Sequence, residues 1–315
     1  MTPSLALNVA LALLLLGMAG WAVLVRSTQA AVIGFMVFGL LLTLAWARLD
    51  GLDVALTEAA IGGGLTGFLL LGAAVRLRSV EHRATLQAPG LATRILAALA
   101  AGSVTLLLAF AVLTLPSPAP SLAPAVAENI AMTQVGNPVT AVLLAFRALD
   151  TLLETLVLVL AMLGIWSLAD DRVWGGRPGF AIAHDASGIL HYAARILAPI
   201  GVLVGGYIFW IGADDPGGKF QGATLLAAMW LLLVLAGLRD APRVSSQALR
   251  LWVVLGPLVF ISVGLLGSWL AVSFLGYPQG YAKLMIVAVE LALLPSLTLI
   301  LGLLIMGAPK RSDCA

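Results

Sequence analysis

The chain has 315 residues and a formal net charge of +2; 61% of its residues are hydrophobic and 10% charged, where a soluble domain carries roughly 25% charged residues and keeps its apolar positions in stripes. This composition excludes an ordinary soluble domain, and it also argues against a nucleic-acid partner. The single cysteine, Cys314, leaves no internal disulfide, and no glycine-rich phosphate loop, paired CxxC or HExxH pattern occurs, so no catalytic residue, metal centre or cofactor is expected.

Runs such as Leu11 to Val25, Leu99 to Leu115 and Leu291 to Met306 contain nothing ionisable, and about 20 such residues cross a hydrocarbon core. Read in chain order, apolar runs and polar breaks predict nine transmembrane helices near 4–25, 29–47, 54–75, 93–115, 140–169, 188–211, 220–238, 251–273 and 283–307. The expected fold class is therefore an all-α polytopic membrane protein, since only helices satisfy their own backbone in lipid at this hydrophobicity. The first basic residue, Arg26, follows the first apolar core, the order of a retained span rather than a secretory signal.

Lysine and arginine placement sets the expected orientation. Arg26, Arg76, Arg78, Arg83, Arg94, Arg172, Arg177, Arg239, Arg243, Arg250, Lys310 and Arg311 fall on one side, against Arg48, Lys219 and Lys283 on the other. Twelve against three predicts an external N-terminus and a cytoplasmic C-terminus. The longest break, Pro116 to Asn137, holds four prolines and no Lys or Arg. It reads as an external linker with a short helix around Ala125 to Met132.

Ionisable groups inside a bilayer cost about 2.5–3.5 kcal/mol each on insertion scales and so face protein or water. Glu58, with Asp53 ahead of it, starts the third span as a candidate proton or cation acceptor, or as a carboxylate needed only for assembly. Gly63 and Gly67 follow, and small residues permit close helix approach at a subunit interface. In the fifth span, Asn137 and Pro138 form a helix start. Arg147, Asp150 and Glu154 then lie at i, i+3 and i+7 on one expected face, as an ion path or a salt-bridged subunit interface. A helix from Pro138 to Leu168 would be about 46 Å long at 1.5 Å per residue, so it must tilt, break or begin at the interface.

His184, Asp185, His191 and Arg195 mark the start of the sixth span, with His191 and Arg195 one turn apart as interface candidates. Asp214 to Gly222, with Pro216, Gly217 and Gly218, reads as a tight turn or a small re-entrant feature. Glu290 lies a third of the way along the ninth span, and Lys283, two turns earlier, is the partner visible in sequence.

Three stretches resemble known modules. Asp53 to Leu71, with its DVALTEAA core, resembles the C-terminal end of the large A component of Mrp-type (Mnh) sodium/proton antiporters, a module that is also a small component of membrane-bound hydrogenases. Asn137 to Glu154, NPVTAVLLAFRALDTLLE, resembles the following module, with the pattern N-x-V-x-x-I-L-x-D-F-R-G-x-D-T-x-x-E. From His184 onward, including DPGGKFQG, the chain is similar to the MnhB component of the same antiporters. Ala145, Ala148 and Lys219 stand where the family has aspartate, glycine and glycine.

The resemblance implies a fusion of modules at 1–83, 84–178 and 179–315. Its implied role is an accessory, non-catalytic subunit of a cation/proton antiporter in a bacterial inner membrane, beside other polytopic subunits and lipid. Sodium and protons are the implied ions, and Glu58 the best carboxylate for their passage. A place in a redox-driven complex such as a membrane-bound hydrogenase and a purely structural scaffold remain open alternatives.

Overall fold

The structure, a computed structural model, describes residues 3–85, 90–118, 120–179, 188–271 and 273–309. His184, Asp185, Lys310, Arg311 and Cys314 lie outside the described residues. Among the described residues the chain is all-α, with one isolated antiparallel bridge between Pro178 and Pro309.

The helices are α1 (Pro3–Leu24), α2 (Thr28–Arg48), α3 (Leu52–Thr57), α4 (Gly67–Thr85), α5 (Leu91–Leu113), α6 (Ala123–Asn129), α7 (Pro138–Ala141), α8 (Ala148–Ser167), α9 (Gly188–Ile211), α10 (Lys219–Leu235), α11 (Gln247–Leu270) and α12 (Ala282–Met306). Helices α3 and α4 are joined through a π-helical stretch, Glu58–Thr66, into one long span. Helices α7 and α8 meet through a second, Val142–Phe146. Among the described residues, eight stretches of 20 to 26 residues are long and apolar enough to cross a membrane, and α10 adds a ninth of 17. At 1.5 Å per residue α10 reaches about 26 Å, within the range that spans a bilayer. The protein is a multi-pass membrane protein, and each of the nine expected spans falls on one of these stretches.

Alternate connections gather at opposite ends of the bundle. At one end the loop before α3, the linker before α7, the turn before α10 and the start of α12 are tied together. Gly136 and Asn137 donate their backbone N–H groups to Ala213 O, and Lys283 pairs with Asp214. At the other end Val244 N and Ser245 N donate to Gly176 O and Gly175 O, and Arg177 pairs with Asp240. The sequence assigns the first end to the outside.

Helix α12 is the axis of the C-terminal half. Ile286, Val289, Leu293, Leu297, Ile300 and Leu303 recur every three or four residues and are fully buried, packed against α8, α10 and α11. Small residues bring its neighbours close, as expected where lipid supplies no hydrophobic drive between helices. Gly256 of α11 lies against Leu293 and Ser296, and Ser296 Oγ donates to Val253 O at 2.5 Å. In the N-terminal half α1 packs on α2, and α2 packs on the π-helical stretch and α4. No residue of α5 is buried within the chain.

The charge asymmetry makes the orientation testable. In a Cys314→Ser background, a cysteine at exposed Ser121 should react with an impermeant thiol reagent from outside. One at exposed Ser245 should react only after permeabilisation, and the reverse pattern overturns the orientation.

Candidate functional site

Four spans converge just beneath the Asp214–Lys283 end. A cavity of about 240 Å³ opens there, lined by Asp53 and Thr57 from α3, Thr140 from α7, Glu154 from α8, Lys219 and Gln221 from α10, and Glu290 from α12. At its centre Lys219 Nζ lies 3.6 Å from Glu290 Oε1. Both residues are only 3% exposed. Two opposite charges withdrawn from water cost several kcal/mol each before their attraction offsets the loss, and removing one partner costs about 3–5 kcal/mol because the other is left stranded. Glu154 lies within the electrostatic reach of the same ammonium, and the Phe220 ring sits 5.5 Å from it.

The turn before α10 explains why Lys219 is inside. Gly217 and Gly218 take φ values of +158° and +128°, a region that side chains rarely enter, and a Cβ on Gly217 would run into Ile208 O. With the chain folded back onto the end of α9, Gly218 N bonds Ile208 O at 3.0 Å and α10 begins already within the bundle. Gly217 N is left to donate to Asp53 Oδ1 at 3.0 Å.

Asn137, 2% exposed, joins three elements. Its Oδ1 caps α7 by accepting from Val139 N at 2.8 Å. Its Nδ2 donates to Asp53 Oδ1 at 3.2 Å and to Asp215 O at 2.9 Å. Gln221 Nε2 donates to Thr57 Oγ1 at 3.0 Å, and Thr140 Oγ1 donates to Gly212 O at 2.5 Å. These bonds stitch the third and fifth spans to the α9–α10 turn. Outside the cavity the Lys283 ammonium, 2.7 Å from both carboxylate oxygens of Asp214, holds the Asp214 carboxyl below the usual carboxylate range.

The fifth span is broken, one of the three outcomes its length allowed. Arg147 leaves the helix at φ −132°, ψ 36°. Its N–H bonds Val142 O across the π turn. Tyr277 Oη donates to Leu144 O at 2.7 Å and Thr151 Oγ1 to Leu143 O at 2.5 Å. Side chains thus satisfy the carbonyls that the break releases, the condition for irregular backbone at membrane depth. π-bulges of this kind are frequent at functional sites.

Several sequence expectations need correction. Glu290 pairs with Lys219, while Lys283 pairs with Asp214. The break at Arg147 lies just ahead of Asp150 and Glu154, which stay one turn apart on the unbroken helix α8. Arg147 and Asp150 form an ion pair with side chains 69% and 52% exposed, and Glu154 lines the cavity. Glu58 is not among the residues lining the cavity: its carboxylate lies against Gly62 of its own turn and Gly39 of α2. It has no ion pair or hydrogen bond among the described residues. Gly63 packs on the α2 backbone at Met36, Gly39 and Leu40, and Gly67 on the Met36 side chain, so the close approach they permit is made within the chain. His191 Nδ1 lies 3.4 Å from Ala236 O at the end of α10, and Arg195 is exposed.

Residues 189–309 match a domain related to the MnhB subunit of Na+/H+ antiporters, and residues 13–79 match MbhD, the D component of MBH. Over 272 residues the chain is 25% identical to a probable K(+)/H(+) antiporter A/B component of Rhizobium meliloti (strain 1021), covering 76% of this chain and 26% of that protein. The fold is similar to a chain of the Mrp complex from Dietzia sp. DQ12-45-1b, with a TM-score of 0.72 at 26% identity over 97% of this chain and 35% of that one. It is also similar to a chain of the membrane-bound sulfane sulfur reductase, an archaeal respiratory membrane complex. There the TM-score is 0.53 at 25% identity, over 68% of this chain and 98% of that one. The chain thus spans about a quarter of the antiporter relative and about a third of the Mrp chain.

The bonding around Asn137 has a measurable consequence. Asn137→Ala removes the α7 cap and the side-chain bonds to Asp53 Oδ1 and Asp215 O, each worth about 0.5–1.5 kcal/mol net. The thermal midpoint of the purified complex should fall; an unchanged midpoint would show that these bonds do not hold the spans together.

Proposed function

We propose that this chain, which joins an MbhD-like segment to an MnhB-related domain, is an accessory, non-catalytic membrane subunit of a multisubunit cation/proton antiporter. It works beside other polytopic subunits in a bacterial inner membrane, and its modules span 1–83, 84–178 and 179–315. Protons and an alkali cation, sodium or potassium, are the exchanged ions. The observation that carries this reading is the cavity shared by Asp53, Glu154, Lys219 and Glu290. Ionisable residues within spans mark ion and proton pathways when they line a water-filled cavity, and carboxylates there can take up and release a proton.

The cavity joins all three modules: α3 belongs to the first, α7 and α8 to the second, α10 and α12 to the third. The ion path therefore needs the modules in one assembly, which fits a chain that fuses them. Arg147 and Asp150, paired but exposed along the fifth span, are the contact with a neighbouring subunit, because an ion pair at that depth requires protein or water rather than lipid. Glu58 supplies a second carboxylate, on the α2 side of the third span. The weaker similarity to the sulfane sulfur reductase leaves a redox-driven complex as the second reading.

Glu290→Gln keeps the side-chain volume and removes the proton-accepting charge. It leaves Lys219 without its paired charge and so lowers stability, but per assembled complex in everted vesicles it should lower cation-dependent proton flux about tenfold or more, a barrier change of at least about 1.4 kcal/mol. Glu58→Gln should reduce the flux in the same assay. Normal flux in both variants at normal protein levels overturns the transport role and leaves a scaffold.

A further inference from the structure

Lys219 is not required merely to neutralise Glu290, because a protonated Glu290 would need no counter-charge in this setting. An ammonium has instead been carried into the bundle by the Gly217–Gly218 turn and held 3% exposed beside a cavity of about 240 Å³. It carries three donors. It faces one carboxylate oxygen at 3.6 Å, the Phe220 ring at 5.5 Å and, through space, Glu154. The cavity has room for water around the remaining donors.

An alkali-metal ion entering this space would need oxygen ligands, and its charge would draw it to the carboxylates. Asp53 Oδ1 already accepts from Gly217 N and from Asn137 Nδ2, and Glu154 and Glu290, the other carboxylates lining the cavity, lie in the field of the ammonium. Like charges repel strongly where water is scarce, so a second monovalent cation is excluded while Lys219 is charged. The same field opposes a proton, but a proton binds a carboxylate oxygen covalently and needs no shell of ligands. It can leave one carboxyl oxygen for a water, with a second proton passing from that water to the other carboxylate. Lys219 takes no part in the transfer.

We infer that Lys219 is a specificity-determining residue: a fixed resident cation that keeps alkali-metal ions out of the cavity and leaves it to protons. Its physiological meaning rests on the transport reading above, but binding can be measured without flux.

The test is equilibrium binding of radioactive sodium and rubidium to the purified complex. Wild type and Lys219→Arg should bind the same number of ions. Lys219→Gln and Lys219→Met should each gain one saturable site per chain, and adding Glu290→Gln to either should abolish the gain. No gain in an assembled uncharged variant overturns the inference. Failure of both uncharged variants to assemble, where Lys219→Arg does assemble, also overturns it, because the charge then serves folding. A gained site together with normal flux in Glu290→Gln supports the exclusion while removing the cavity from the transport path.

Discussion

A charge in a bilayer interior must be met by another charge, by hydrogen bonds or by water, and the Lys219–Glu290 pair meets that demand from two different spans. Most of the polar architecture near it serves to hold those two spans and their neighbours in register. The Gly217–Gly218 turn delivers α10 already inside the bundle. Asn137 and Asp53 fasten the turn to the third and fifth spans. Tyr277 and Thr151 secure the break in the fifth span, just ahead of the helix that carries Asp150 and Glu154. Outside this region packing is carried by apolar side chains and small residues.

The two π-helical stretches lie on either side of this arrangement. Each occurs in a span that supplies a side chain to the cavity, α3 through Asp53 and Thr57 and α8 through Glu154. The first also creates the recess at Gly39 and Gly62 where the Glu58 carboxylate rests. The helices that carry Lys219 and Glu290, by contrast, run without interruption.

The spans were legible in the sequence because membrane helices need long apolar runs; the gaps expected after 25, 115, 169, 211 and 238 fall at helix ends, while α4 runs on to Thr85 through the gap expected after 75. A break within 138–168 was one of three outcomes that length left open, and the Asn137–Pro138 start was foreseeable from capping preferences. The partner of Glu290 was not legible. Lys283 lies on the same helix at a helical spacing, whereas Lys219 approaches from another span through a turn whose fold depends on two glycines at positive φ. Local periodicity cannot show a contact between residues so far apart in the chain. The departure at Lys219 from the family's glycine was the one available signal, and turn chemistry masked it. Asp53 was visible as a carboxylate, but its bonds to Gly217 and Asn137 are equally long-range. Glu58, favoured by its position and its glycines, proved to face α2 because those same glycines draw α2 close.

The most direct measurement separates the pair's structural role from its place on a proton path. Replacing both charges at once, Lys219→Leu with Glu290→Leu, leaves no stranded charge, and buried pairs exchanged for apolar residues are often neutral or stabilising. The expected result is a complex of normal abundance in everted vesicles whose cation-dependent proton flux is lost. Normal flux from the assembled double variant would contradict a proton path through this cavity.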